Sequence, residues 1–327
     1  MTSKSPWTLL HAQLHRTLKQ RKLLPKNQSI LIAVSGGQDS LCLSKLLLDL
    51  QDKWQWKLAI AHCDHRWRTD SEANAKHVEE LAKNWHLPFY LQTANQVLSS
   101  EAQAREWRYQ ALSRIAEQYN YQYIVTGHTM SDRAETILYN LTRGTGADGL
   151  QSLTWYRNLS NNSQLVRPLL EISRTQTALF CQDFQIPIWE DSTNQELKYA
   201  RNRIRQEVIP YLQQHFNPQV EQALAQTAEL LRAEVEYLEE VARQMLQQVI
   251  SKDEEGMKLN RLELRSVPLA LQRRVIRQFL QQALGIAPNF QQVEKVTALI
   301  LAPNRSCTDP FSGGAIARVE GNSICLR

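Results

Sequence analysis

The stretch Ser29-Ile-Leu-Ile-Ala-Val-Ser-Gly-Gly-Gln-Asp-Ser40 decides how this chain is read. Ser29 to Val34 is a short, apolar, β-branched run, the signature of a strand buried on both faces. Gly36-Gly37 break it, and Leu41 to Leu50 has the composition of an apolar helix. A strand, a glycine turn and a helix N-terminus make a natural anion site. The glycines let the backbone come close, the N–H groups point outward, and the helix dipole favours phosphate. Ser35 and Ser40 add hydroxyl donors. Asp39 carries the wrong charge to touch phosphate directly and makes sense if Mg²⁺ lies between them. The loop is neither G-x-x-x-x-G-K-[ST] nor G-x-G-x-x-G. A plain strand-to-helix turn is the bland alternative; Gly-Gly alone would not separate the two readings, and the whole hexapeptide does.

Working outward, apolar runs at 57–61, 89–91 and 123–126 alternate with helical patterns at 72–85 and 101–119. That alternation predicts an α/β fold, a parallel Rossmann-like sheet covered on both faces. A short basic helix precedes it at 5–22. The pattern changes after about residue 215. Asn217-Pro218 reads as a helix start, and Val220, Leu224, Leu231, Val235, Leu238, Val241 and Met245 recur at helical spacing. A turn at 253–256, helices from Pro268 to Leu284 and from Asn289, and a terminal hairpin around Gly313-Gly314 follow. The 327 residues therefore divide into 1–215 and a smaller, mainly helical 216–327.

Composition bounds the function class. Lys+Arg 38 against Asp+Glu 33 permits a polyanion partner without demanding one. Five cysteines without a C-x-x-C argue against a disulfide framework, a zinc knuckle or a thioredoxin-type site, and for reduced, cytoplasmic residence. No apolar run approaches ~18 residues, so no membrane span is expected, and the first ten residues do not read as a signal peptide.

Seven further blocks carry polar chemistry. His62-Cys-Asp-His65, with Arg66 and Arg68, follows the second strand and suits a nucleotide-side site better than zinc. Glu101, Arg105 and Arg108 share a helix face, which is also what a surface ion-pair ladder would do. His128, Asp132 and Glu135 sit at i, i+4 and i+7 in Gly127–Glu135 and form a base with two carboxylates, able to hold Mg²⁺, bind an amine or orient a nucleophile; helix capping is the alternative. Arg143–Leu150 reads as a shaped glycine loop, and Arg167-Pro-Leu-Leu170 precedes a helix. After Trp189–Asn194 come Arg201, Asn202, Arg203 and Arg205, a donor set for the phosphates of ATP or a nucleic acid. In the second domain Arg261, Arg265, Arg273, Arg274 and Arg277 lie within 17 residues opposed there only by Glu263, so phosphate contact or a solvated face both fit.

Ser35–Ser40 resembles the pyrophosphate loop of the N-type ATP pyrophosphatases (the PP-loop superfamily). The blocks in order resemble the tRNA(Ile)-lysidine synthetase family over roughly 28–210, and more weakly over 216–327 through Leu271–Leu280 and Asn289–Val296. Its shorter members, without an extra C-terminal domain, are the nearer likeness. The resemblance implies a ligase that spends ATP, giving AMP and pyrophosphate, to join L-lysine to C2 of the cytidine at the first anticodon position of tRNA(Ile) (CAU), through an adenylated cytidine. It further implies that Ser35, Gly36, Gly37, Gln38, Asp39, Ser40 and His128 bind ATP and that Asp39 holds Mg²⁺. Arg105 and Arg205 would stabilise charge on the α-phosphate. Asp132 and Glu135 would grip the amines of lysine or take a proton. Arg201, Arg203, Arg273, Arg274 and Arg277 would contact tRNA, with Trp107 or Trp155 holding the reactive base. The family usually shows two aspartates after the histidine, and here the first is Ser131. A homodimer is a compatible assembly; a membrane is not implied. A tRNA thiolase of the same superfamily would commonly carry cysteine pairs, an amidotransferase-type synthetase would need an ammonia source, and a non-catalytic RNA-binding module would not need Asp39.

Overall fold

Ile30 and Ile32 of the first strand pack into one apolar cluster and Leu31 into another, the alternation of a strand covered on both sides. The computed structural model describes residues 6–67, 69–96, 100–160, 162–190, 196–253, 256–311 and 313–327. The strands of the first unit are β1 (Ser29–Ala33), β2 (Lys57–Asp64), β3 (Phe89–Thr93), β4 (Tyr123–Thr126), β5 (Tyr156–Asn158) and β6 (Gln164–Val166). They form one sheet in the order β3-β2-β1-β4-β6-β5, parallel except for β5, which pairs antiparallel with β6 at the edge.

The helices are α1 (Leu9–Gln20), α2 (Gln38–Trp54), α3 (Ser71–Asn84), α4 (Glu101–Gln118), α5 (Met130–Thr142), α6 (Ala147–Leu150), α7 (Arg174–Asp183), α8 (Ala200–Arg203), α9 (Ile209–His215) and α10 (Val220–Val249), with a π-helical turn over Ile204–Val208 between α8 and α9. Leu41, Leu43, Leu46, Leu47 and Leu50 of α2 join Ile30, Ile32 and Phe180 of α7 in one cluster. Tyr109, Leu112 and Ile115 of α4 close over Leu31, Ala59 and Ile124 in the other. The predicted parallel α/β sheet is thus present, with each expected strand and helix within a few residues of its expected place; the antiparallel edge made by β5 and β6 was not foreseen. Strand order runs outward in opposite directions from β1 and β4, so the loops leaving their C-terminal ends diverge and leave a crevice.

The chain divides into two compact units, Met1–Glu229 and Leu230–Arg327. The division falls fourteen residues beyond the expected 215/216. Val220 and Leu224 pack with Ala134, Ile204 and Ile209, and Glu229 receives Arg133 at 2.8 Å and the Trp155 indole N–H at 3.0 Å, so the start of α10 is held by the first unit. The second unit carries β7 (Ile250–Asp253), β8 (Gly256–Asn260), α11 (Arg261–Leu264), α12 (Leu269–Leu284), α13 (Phe290–Leu299), β9 (Ala317–Glu320) and β10 (Ser323–Leu326). Its helices surround a four-stranded antiparallel sheet ordered β7-β8-β10-β9. Of that sheet only a terminal hairpin was legible in the sequence, and its turn is misplaced there: β9 and β10 are joined at Gly321-Asn322, and Gly313-Gly314 lie before β9. Val275, Ile276, Phe279 and Leu280, the expected apolar face of α12, are all fully buried in its core. No described helix is long and apolar enough to cross a membrane.

Candidate active site

The glycine loop is tied by its own hydroxyls. The Ser40 hydroxyl donates to the Gly37 carbonyl at 2.9 Å and accepts from the Ser35 N–H at 3.2 Å. Gly36 has φ +92, and a Cβ there would lie 2.2 Å from Asn74 Oδ1, so only glycine fits. Gly37 caps α2 without a side-chain hydrogen bond, which leaves the first N–H groups of the helix available to an anion. The end of β4 approaches the same loop so closely that a Cβ on Gly127 would sit 2.8 Å from the Asp39 carbonyl and the Ser40 nitrogen. Gly127→Ala is expected to lower unfolding free energy by about 1–3 kcal/mol and to slow ATP-dependent AMP formation. A variant that melts and turns over like the parent would show that the approach imposes nothing.

Arg174, the first residue of α7, organises the centre. Its Nε donates to Asp39 at 3.2 Å, one terminal nitrogen to Glu135 at 2.8 Å and the other to Asp132 at 2.7 Å. One guanidinium therefore joins the phosphate loop to the two carboxylates of α5. Thr177, one turn along α7, gives its hydroxyl to Asp39, and Gln38 reaches the Arg174 carbonyl at 2.9 Å. Glu135 is buried and also receives Arg205 through both oxygens, at 2.7 and 2.9 Å. Asp132 doubles as a helix cap: its second oxygen accepts the Thr129 N–H at 2.7 Å and hydroxyl at 2.9 Å. The capping and site readings of Asp132 are thus both met. Ser131, which stands where the family usually has aspartate, is buried and accepts the Arg174 N–H at 3.1 Å, so it anchors the start of α7.

Charge follows this geometry. Burial raises the pKa of Asp39, with Asp132 adding to the rise and Arg174 and Thr177 opposing it. For Asp132, burial acts upward but is outweighed by Arg174, His128 and the Thr129 bonds, and the net shift is down. His128 is lowered to about 3, chiefly by burial and then by Arg167, Arg108 and Arg105, against Asp132. It is therefore a neutral imidazole, bonded to the Thr126 hydroxyl at 2.8 Å, and offers a hydrogen bond rather than a charge.

Of the expected site residues, the structure gathers Ser35–Ser40, Asp132, Glu135 and Arg205 around Arg174, with His128 at the end of β4. Arg105 lies on α4 beside Tyr109, its guanidinium 5.8 Å from that ring, and it bonds none of the three carboxylates. Arg201 stacks on Tyr139 at 5.8 Å, and exposed Arg203 donates to the Leu197 carbonyl at 3.1 Å. The His62–His65 block shapes a turn: His62 meets the Val34 carbonyl at 2.8 Å and Asp64 accepts the Arg66 N–H at 2.8 Å. Arg68, the Glu101 side chain and residues 191–194 lie outside the described residues.

In the second unit folding changes the charge balance read from the linear run. Arg273 is paired with Glu294 through two bonds of 2.7 and 2.9 Å, and Arg274 and Arg277 both meet Glu239. Arg261 is buried and spends its donors on the Gly321, Leu299 and Ala302 carbonyls, so it is a structural residue and not a phosphate contact. Trp155 is likewise corrected: it is 1% exposed, with Arg21 and Arg133 on its ring and Glu229 on its N–H, and cannot receive a base.

Arg174 and Thr177 are the residues that sequence reasoning missed. A signal was present: Ser173-Arg-Thr-Gln176 is a capping box that puts a cation in the first turn of a helix, where the dipole disfavours it. An arginine held there needs anions from elsewhere in the fold. Among the described residues no group of three His, Cys, Asp or Glu side chains is arranged to hold a metal alone. Asp39 and Asp132 nevertheless share one guanidinium, and hard carboxylate oxygens taken one or two at a time, together with phosphate oxygens, are what Mg²⁺ uses. The donor set fits a cation that arrives with the nucleotide.

Comparison with known proteins agrees with this geometry. Residues 8–212 match the PP-loop domain family, and residues 259–322 match the TilS substrate binding domain family. A tRNA(Ile)-lysidine synthase from Nostoc sp. is 66% identical, over 98% of this chain and 97% of that one. Another from Synechocystis sp. is 53% identical, over 97% of each. A U34-tRNA thiolase from Methanococcus maripaludis with a [4Fe-4S] cluster superposes with a TM-score of 0.58 at 14% identity, over 68% of this chain and 78% of that one, a likeness of fold alone. Two domain families in that order, and relatives of one name aligned from end to end, place the chain in the tRNA(Ile)-lysidine synthase family.

Proposed function

We propose that this chain joins L-lysine to C2 of the cytidine at the first anticodon position of tRNA(Ile) (CAU), in the cytoplasm, with ATP converted to AMP and pyrophosphate. ATP use belongs to the PP-loop family to which the chain is matched, and the residues 259–322 matched as a substrate binding domain support a tRNA partner. The observation that carries the reading is Arg174, which ties an uncapped phosphate loop to Asp39, Asp132 and Glu135 in one crevice. A site for triphosphate thus adjoins a set of carboxylates suited to an amine.

The chemistry needs both halves. The C2 oxygen of cytosine is a poor leaving group. Its attack on the α-phosphorus forms a P–O bond and expels pyrophosphate. The lysine ε-amine then adds to C2, the C–O bond breaks, AMP departs and the nitrogen loses a proton. In this reading the N–H groups after Gly37 and the hydroxyls of Ser35 and Ser40 bind the pyrophosphate. Asp39, with Asp132, would hold Mg²⁺, which neutralises phosphate charge when bound. Arg205, oriented by Glu135, and Arg105 face the charge that develops on the α-phosphate. Asp132, already engaged by a guanidinium, is a carboxylate that the lysine ammonium can address. Arg201, Arg203, Arg273, Arg274 and Arg277 are assigned to tRNA; in the second unit Arg273 meets Glu294, and Arg274 and Arg277 both meet Glu239.

The test uses purified protein, ATP, Mg²⁺, bacterial tRNA and labelled lysine. Mild alkali strips lysyl esters and leaves a base-linked lysine. ATP-dependent, alkali-stable label is the expected result. AMP production without label would keep the adenylating site and assign it a different nucleophile.

A further inference from the structure

Around Tyr109 of α4 stands a second polar centre, of which the reaction above uses only Arg105. Tyr109 is buried, and around it stand four arginines. The Arg157 guanidinium lies 4.3 Å from its ring centre, Arg108 lies at 5.5 Å and Arg105 at 5.8 Å. Arg167, itself 2% exposed, donates to the Thr154 carbonyl at 2.6 Å. No described carboxylate forms an ion pair with any of the four. Three buried polar atoms here have no hydrogen-bond partner: the Tyr109 hydroxyl, Arg108 Nε and Arg167 Nε. The hydroxyl lies within reach of the Arg167 charge but without hydrogen-bond geometry to it.

Buried polar atoms without partners, set among charges of one sign, cost free energy unless an anion completes them. The neighbouring groups register the imbalance. Burial alone would raise the Tyr109 phenol, yet Arg108, Arg167, Arg105 and Arg157 draw it down to about 8. Beside Tyr109 opens a cleft of about 500 Å³, whose walls include Gln110, Ser113, Arg114, Arg157 and Asn158. Glu106 also lines it, with its carboxylate turned to Gln110 at 3.0 Å.

We propose that this cleft binds a phosphodiester of the substrate tRNA backbone, through Arg157 and Tyr109 in its wall with the charge of Arg108 behind them, next to the adenylation site. The shared chemistry is that of phosphate, and ATP is the other source. The backbone is the better fit for three reasons. The phosphates of ATP already have the glycine loop, Arg205 and Arg105, none of which lines the cleft. Arg157 is exposed on the edge strand β5, where a polymer can reach it. The cleft also exceeds one phosphate and adds neutral amides and a hydroxyl, the groups that sugar and base edges use. Arg167, Arg108 and Arg105 also act on His128 at the end of β4.

The inference rests on the reading of the chain as a tRNA-modifying ligase, and the experiment separates the two. Arg157→Gln and Tyr109→Phe are compared with the parent for tRNA affinity across a salt series, for the KM of ATP and for lysidine formation. Arg157→Gln is expected to weaken tRNA binding several-fold and to reduce the slope of log affinity against log salt by about 0.7–0.9, with the KM for ATP unchanged. Tyr109→Phe removes a hydroxyl that bonds nothing in the free protein, so a merely structural role predicts no loss; weaker tRNA binding at an undiminished melting temperature is expected. Unchanged affinity and slope in both variants would overturn the inference. So would a raised KM for ATP with tRNA affinity intact, which would assign the cleft to the nucleotide. A parent protein that forms no lysidine would instead overturn the underlying reading.

Discussion

Asp39→Asn is expected to lower ATP-dependent AMP formation about 10²–10³-fold without loss of stability or of tRNA affinity. The substitution keeps the volume and one acceptor oxygen, which can serve the Arg174 Nε, while the Thr177 hydroxyl retains the Arg174 carbonyl as acceptor at 2.8 Å. What it removes is a negative charge at the second position of α2, beside the loop assigned to pyrophosphate. That charge is costly to the fold. Burial has raised the Asp39 pKa despite Arg174, so the folded protein favours the neutral acid. The sign follows: a raised folded pKa gives a contribution that is fully present below the unfolded value and lost as pH rises through the folded one. Near neutral pH the ionised carboxylate therefore works against folding, and asparagine relieves it. The expected pair of results, a melting temperature equal to or above the parent with turnover nearly abolished, is the trade-off of a site kept charged for its chemistry. Normal turnover in a folded Asp39→Asn protein would remove Asp39 from the mechanism.

The sequence was informative where chemistry and local geometry coincide. The loop at 35–40 was legible because a buried strand, two glycines and a helix start leave few other uses for that order of residues. The alternation of Ile30, Leu31 and Ile32 across two cores was legible for the same reason: it is a period of two. Asp132 and Glu135 were legible because one helical turn joins them. Arg174 was not, because the contact that defines it spans 135 residues to Asp39 and 42 to Asp132. The pairing of Arg274 and Arg277 with Glu239 hid in the same way, and a run that looked unopposed acquired its counter-charge from α10. Trp155 looked available as a base holder only because its three ionic neighbours, Arg21, Arg133 and Glu229, are scattered along the chain. Periodicity reports which face of an element is buried; it does not report which charges fold onto the exposed one.

Arg174→Met is expected to be the most destabilising substitution at the site, by roughly 3–5 kcal/mol near neutral pH, the usual result of removing one member of a largely buried ionic cluster. Methionine fills similar space but leaves Asp39 and Asp132 facing each other without their shared cation, whereas Glu135 keeps Arg205. The pH dependence identifies the cause. In the parent, Asp132 has a lowered pKa, so its contribution is present above the unfolded value and lost as pH falls through the folded one. In the variant the two aspartates repel in a buried place, and their folded pKa values rise above the unfolded ones. Proton uptake on folding then stabilises the variant as pH falls. Urea unfolding of both proteins near neutrality and at about pH 5 should show the deficit narrowing on acidification. A deficit that stays constant would mean that Arg174 contributes packing at the start of α7 and no charge balance. Arg174→Lys supplies the control for geometry. It restores one positive charge but cannot reach three carboxylates from one planar fork, so it should recover part of the stability and little of the turnover.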